Sequence, residues 1–322
     1  MGLFKILLIA YKNRSGSTLL SNWLSKDERI LVLPEGGDVP IKLLVNPLQP
    51  IDKKSFDFIK ENLQTNSKLS SWNINSLHEQ LLFSTRLTSW QLLKNILELY
   101  KNQTKEQATV FVLKHPRFAD LPEKLSKFSF YRDIIFTAFL IRDGRAIYNS
   151  SKKSLQSNLP VPMEYNPVQS AKYWINFVNA ASDCITKYSK DGLNASVVKY
   201  EDILINQEST LKKIYLFIGL EYTNDKLKNA DLAERIDNKQ KHLHANIDTN
   251  PVVSRIDSWH NELSSWEIYL FEQKAKDSLL LCGYALSHVN LNIFQAFVAH
   301  IKLYFQITFN YVRLLYHKIK LK

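Results

Sequence analysis

Tyr11-Lys12-Asn13-Arg14-Ser15-Gly16-Ser17-Thr18-Leu19-Leu20 follows the apolar run Phe4 to Ala10 and opens onto an amphipathic segment, Leu19 to Leu24. That order predicts a strand, a tight turn and a helix. Such a turn aims several backbone N–H groups and the positive end of a helix dipole at one point. Arg14, Ser15, Ser17 and Thr18 add charged and hydroxyl donors there. The natural guest is a phosphate-like anion. No Lys-Ser or Lys-Thr pair follows a second glycine, so triphosphate and Mg²⁺ handling is not what the loop advertises. Read alone, the same residues also describe a polar strand-to-helix turn with an N-cap.

A second segment repeats the arrangement. Asp133 to Ile141 reads as a buried strand and runs into Arg142-Asp143-Gly144-Arg145-Ala146-Ile147-Tyr148-Asn149-Ser150-Ser151-Lys152-Lys153, so another strand delivers cations to a helix start. Together the two stretches resemble the sulfotransferases that use 3′-phosphoadenosine-5′-phosphosulfate. In that family one loop takes the 5′-phosphosulfate, and an Arg with a Ser eight residues on takes the 3′-phosphate; Arg142 and Ser150 have that spacing. The strings Arg14-Ser15-Gly16 and Arg142 to Ala146 are closest to those of the tyrosylprotein sulfotransferases and their bacterial and carbohydrate-modifying relatives. The resemblance implies that Arg14, Ser15, Gly16, Ser17, Thr18 and Leu19 hold the phosphosulfate and that Arg142 and Ser150 hold the 3′-phosphate. It spans roughly residues 4 to 285.

Composition bounds the answer. A chain of 322 residues with 45% hydrophobic content can bury a full core. No repeat or low-complexity tract breaks it, so we read one domain over 1–288 and a tail over 289–322. Cys184 and Cys282 lie far apart in apparently helical segments and suggest neither a disulfide framework nor a metal cluster. Leu3 to Ala10 is too short for a signal-peptide core and has no cleavage pattern after it. No stretch reaches the roughly 18 to 20 apolar residues of a transmembrane helix. The expectation is a cytoplasmic protein, with peripheral membrane contact left open.

Further short strands are expected at Arg29 to Leu33, Thr109 to Lys114 and Ala195 to Tyr200, with helical patterns over 53 to 105 and between the later strands. Strands alternating with helices predict an α/β fold, P-loop-like and three-layered, with a central parallel sheet flanked by helices and a C-terminal amphipathic helical tail. Ligands of such sheets bind at the carboxyl ends of the strands. Every polar cluster singled out here sits just past a strand end.

Sulfuryl transfer needs two oxygens held in line, charge neutralised on the departing nucleotide, and a base for the acceptor's proton. Glu35, in the turn Pro34-Glu35-Gly36-Gly37, resembles in placement the catalytic glutamate of the tyrosylprotein enzymes. Its carboxylate, with an ordinary pKa of about 4.3, is ionised at neutral pH. A solvated turn glutamate is the bland alternative. Lys114, in Val112-Leu113-Lys114-His115-Pro116, resembles the lysine of a Lys-Asp-Pro string, which implies donation to the bridging oxygen. His115 stands where the family often has an acid, as an alternative acid or base, a substrate contact, or a structural residue. Arg14 is grouped with Glu35 and Lys114 at the chemistry.

Other contacts follow from the same resemblance. Tyr200, in Val198-Lys199-Tyr200-Glu201-Asp202, implies an adenine contact, and Arg255 a cation in the late loop over the 3′-phosphate. The tyrosylprotein enzymes place another arginine where this chain has Ser154; Lys153 is the nearby substitute, as a point charge without arginine's bidentate fork. His242 and His244 have a spacing a metal could use, but no matching third ligand, so no metal is expected.

The tail differs from the rest. Residues 290–322 hold five Lys or Arg and no Asp or Glu. Phe294, Val298, Ile301, Phe305, Val312, Leu315 and Ile319 fall on one helical face, which suits an anionic membrane surface, packing on its own domain, or a homodimer. The acceptor is expected to be a carbohydrate or glycolipid hydroxyl, with a tyrosine-containing peptide as the rival. Contacts are sought among Trp72, His78, Arg86 and Trp90. An ADP-type P-loop kinase and a non-catalytic basic adaptor are the readings from other classes; nucleic acid is not expected, since no groove-reading motif is present.

Overall fold

The computed structural model describes residues 4–35, 37–65, 82–156, 166–223 and 253–320. Among these, five strands form one sheet: β1 (Lys5–Tyr11), β2 (Ile30–Val32), β3 (Val110–His115), β4 (Ile135–Ile141) and β5 (Asn194–Lys199), in the order β2-β3-β1-β4-β5. β1 runs parallel to both β3 and β4, and β2 parallel to β3. The register sets Ile9 beside Lys114 on one side and Ala138 on the other. Each expected strand is present within a residue or two of its predicted ends.

The helices are α1 (Ser17–Leu24), α2 (Val39–Val45), α3 (Lys53–Thr65), α4 (Ser89–Thr104), α5 (Pro122–Leu125), α6 (Gly144–Gln156), α7 (Pro167–Thr186), α8 (Tyr200–Ile205), α9 (Gln207–Phe217), α10 (Trp259–Glu262), α11 (Ser265–Leu281) and α12 (Ile293–Lys320). Among the described residues none is long and apolar enough to cross a membrane. Two compact units emerge. One comprises Met1–Tyr11, Gly16–Leu140 and Ala180–Pro251; the other comprises Lys12–Ser15, Ile141–Asn179 and Val252–Lys322.

In the first unit the alternation of the strands sorts the core. Leu7 and Ile9, with Val110, Val112, Ala138 and Leu140, pack against Leu20, Trp23 and Leu24 of α1, Ile203 of α8, and Leu211 and Ile214 of α9. Ile6, Leu8, Phe111, Leu113 and Phe139, out of phase with these, are buried on the opposite face. Burial on both faces is why these strands read as unbroken apolar runs. Thr88 and Gln91 form a capping box at the start of α4. Just past its end, buried Lys105 donates to the carbonyls of Ser25, Asp27 and Ile30, tying the end of α1 to the start of β2. A buried ammonium needs such partners.

The second unit is held by buried charge. Arg145, only 2% exposed, pairs with Asp143 at 2.7 Å and with Glu272, donates to the Ala285 carbonyl, and lies 3.9 Å over the Trp259 ring. Asp143 also accepts the Arg145 backbone N–H, closing the entry to α6. Gly144 permits this packing, since a Cβ there would lie 2.6 Å from Phe271 and 2.8 Å from Trp174. Glu267 forms a capping box with Ser264 and accepts from Tyr148 and Lys152. The Asp143-Gly144-Arg145 part of the string therefore has a structural duty of its own.

Arg145→Met should take the guanidinium away from buried Asp143 and part-buried Glu272. The expected loss is about 3–5 kcal/mol in urea unfolding, whereas Lys212→Ala, at the exposed pair with Glu208, should leave the midpoint unchanged.

Candidate active site

Glu35 lies three residues beyond β2, at the carboxyl end of the sheet. Its Oε1 accepts a hydrogen bond from the Tyr11 hydroxyl at 2.8 Å and lies 3.5 Å from Lys114 Nζ. Tyr11 ends β1 and Lys114 is the penultimate residue of neighbouring β3, so parallel pairing brings both to the same edge. The Tyr11 phenol is held far above the ordinary tyrosine range, first by burial and then by the Glu35 charge. It therefore stays protonated and donating, with Ser17 as a further partner. Glu35 and Lys114 are only part-buried, which keeps the pair open to solvent and ligand.

Tyr11 is the residue the sequence reading passed over. Its signal was there: a tyrosine ending an otherwise apolar strand carries a hydroxyl that must find a partner when buried. His115 has a defined duty instead. Its Nδ1 accepts the Arg117 backbone N–H and caps the short turn Pro116–Asp120, while Nε2 lies 3.9 Å from Asp38.

Gly16 is the N-cap of α1 with φ +90°, a conformation that favours glycine. A Cβ there would fall 2.3 Å from the Tyr200 ring. Tyr200 opens α8 immediately after β5, so its ring covers the glycine of the loop. Ser17, Thr18 and Leu19 form the first turn of α1; Ser17 is buried and Leu19 packs on the core.

In the second unit, Arg14, Arg142 and Ser150 come together. Arg14 Nε donates to Ser150 Oγ at 3.0 Å, and Arg142 Nη1 donates to the Arg14 carbonyl at 2.9 Å. The Arg142 carbonyl in turn accepts from Trp174 Nε1 at 2.9 Å. Arg14 has φ +71°, a left-handed conformation costing a non-glycine residue about 1–2 kcal/mol. Ser15 follows, 1% exposed, its hydroxyl without a hydrogen-bond partner among the described residues. A buried hydroxyl in that state costs about 1–3 kcal/mol. Left-handed residues at Arg14 and Gly16 flank it, the backbone pattern in which successive N–H groups converge on an anion. These residues fit a phosphate-type group.

Other expected contacts are placed elsewhere or committed otherwise. Lys153 is exposed and paired with Glu262 at 2.6 Å, so a 3′-phosphate must compete with that carboxylate. Arg255 is exposed at the end of the turn Val253–Arg255, its carbonyl accepting from Ser258. Trp90 is a correction. Its ring stacks on Phe4 at 5.9 Å and packs against Phe130 and Tyr131, at the amino end of β1. Seven strand residues, roughly 20 Å, separate that end from Glu35's. Trp90 is half-buried among these rings, at the end of the sheet opposite Glu35. Arg86 is exposed in the loop before α4, its backbone N–H donated to Ser84. Trp72, His78, His242 and His244 lie outside the described residues. Among the described residues no group of three or more His, Cys, Asp or Glu could hold a metal ion.

A model of the sulfotransferase family matches residues 10–224. Among solved structures, the sulfotransferase domain from the Synechococcus PCC 7002 olefin synthase is 17% identical with a TM-score of 0.53, the match covering 88% of this chain and 95% of that one. The sulfotransferase domain from the curacin biosynthetic pathway is likewise 17% identical, with a TM-score of 0.56, covering 89% and 100%. At this identity the likeness is one of fold. A search of curated proteins found no match.

Gly16→Ala should destabilise the protein by two separable effects, the left-handed backbone and the Tyr200 ring. Thermal melts of G16A, Y200A and the double variant test this. Removing the ring should relieve part of the G16A loss, and the backbone part, about 1–2 kcal/mol, should persist.

Proposed function

The chain belongs to the sulfotransferase family, and we propose that it moves a sulfuryl group from 3′-phosphoadenosine-5′-phosphosulfate to an acceptor hydroxyl of a carbohydrate or glycolipid. The observation that carries this reading is the Glu35 carboxylate, fixed by the Tyr11 hydroxyl and lying beside Lys114 at the carboxyl end of the sheet. A positioned carboxylate of this kind is suited to accept a proton, and general bases contribute about 10² to 10⁴ in rate.

The donor supplies the sulfuryl group, whose S–O bond to the phosphate breaks as the acceptor oxygen bonds to sulfur. Glu35 takes the acceptor's proton and Tyr11 orients it. Lys114 donates to the bridging oxygen of the departing nucleotide. Negative charge leaves Glu35 on protonation while it builds on the leaving phosphate, and an ammonium beside Glu35 is placed to follow that shift. Backbone N–H groups and hydroxyls from Arg14 to Leu19 hold the phosphosulfate. Arg142 and Ser150 hold the 3′-phosphate, with Tyr200 against the adenine and Arg255 and Lys153 as outer cations. The basic tail favours an acceptor presented at a lipid surface, and a tyrosine-containing peptide is the competing substrate to offer beside it.

Donor specificity is read by the melting shift with 3′-phosphoadenosine-5′-phosphate against ADP and AMP. At 100 times its Kd a ligand stabilises by about 2.7 kcal/mol. The 3′-phosphorylated nucleotide should give the larger shift, and Arg142→Ala and Ser150→Ala should abolish the difference. Equal shifts with ADP would remove the donor assignment.

Glu35→Gln should lower kcat by about 10² to 10⁴ and leave the nucleotide melting shift intact. Tyr11→Phe should lower kcat by roughly tenfold through lost orientation of Glu35, with the donor KM unchanged. An E35Q enzyme of near-normal kcat would take Glu35 out of the mechanism.

A further inference from the structure

α12 presents two unlike faces. Ala296, Val298, Ala299, Leu303 and Gln306 are its less exposed residues among those described, Ala299 fully buried, and the helix packs against α11. On the other side Ile293 is 91% exposed, Phe294 73%, Phe297 63%, Tyr304 68% and Phe305 67%, with Ile301 among them. At 3.6 residues per turn these six positions fall within an arc of about 120°. A contiguous aromatic face of this size on a protein surface marks a docking site.

Charge selects the occupant. The segment 290–322 carries five Lys or Arg and no acidic residue, and the chain as a whole stands at +11. Two copies pairing through this helix would bring two all-basic segments together. An anionic lipid surface offers the complementary charge and an apolar boundary in which aromatic rings sit. Lys302, exposed at the edge of the stripe, is placed to reach headgroups while the rings insert.

We propose that α12 lies in the plane of an anionic membrane surface, with Ile293, Phe294, Phe297, Ile301, Tyr304 and Phe305 in the headgroup–acyl boundary. Lys302 contacts lipid phosphates. The opposite face keeps the helix attached to its own unit, so the protein binds the surface as a folded body. This inference does not rest on the transfer reaction.

Co-sedimentation of the full chain with phosphatidylserine-containing vesicles, against pure phosphatidylcholine, tests it without donor or acceptor. Binding should favour the anionic vesicles by roughly tenfold or more and weaken as salt rises. The combined variant Phe294→Ser, Phe297→Ser and Phe305→Ser should lose binding with its melting temperature unchanged, and Lys302→Glu, which leaves the rings in place, should weaken it. Failure to pellet with anionic vesicles at low salt would overturn the proposal. So would sedimentation-velocity detection of a dimer that the same ring substitutions dissociate while no vesicle binding occurs, which would assign the face to a second copy.

Discussion

Parallel pairing of β1 with both β3 and β4 buries the strand on two faces, and a strand buried on two faces can carry polar chemistry only at its ends. That constraint organises the first unit. Leu7, Ile9, Val112 and Leu140 fill one side of the sheet, and Leu8, Phe111 and Phe139 the other. The polar residues Tyr11, Glu35 and Lys114 collect at the carboxyl edge, where the chain leaves the sheet. At the amino edge the same sheet ends in packed aromatics, Phe4 with Trp90, and in the Lys105 ammonium closed in by three carbonyls. One edge is built for stability and the other is left open to chemistry.

The charged groups divide along similar lines. Arg145, Asp143 and Glu272 satisfy one another, and Glu267 is held below the ordinary carboxylate range because Lys152, Ser264 and Tyr148 outweigh its burial. Such groups fix α6 and α11. Arg14, Arg142 and Ser150 are joined by single hydrogen bonds around a left-handed residue and a buried hydroxyl. Strain and an unsatisfied donor concentrated in one short turn are features that a bound anion would relieve. The sulfotransferase family match covers this turn and the Glu35 edge alike.

Much of this was legible in the chain because both signals are local. Apolar runs over β1, β3 and β4 announced strands. Arg142 and Ser150 could be read together because the string that resembles the family carries that spacing. Contacts remote in sequence were not legible. Trp90 was expected at the acceptor because Trp suits sugar stacking, but which edge of the sheet receives it depends on its packing against Phe4, 86 positions earlier. Lys153 meets Glu262 from a distant helix. The role of Tyr11 required knowing that the chain after β2 returns to it.

The holding of Glu35 by the last residue of β1 has a consequence for how the site can vary. In a strand, neighbouring side chains point to opposite faces, so a shift of β1 by one residue against Leu140 would turn the phenol away from the carboxylate. The Tyr11–Glu35 hydrogen bond thus depends on the ladder of the sheet as well as on the turn that carries Glu35. A change of one residue in the length of β1 would break this hydrogen bond while leaving the hydrophobic sequence almost unaltered.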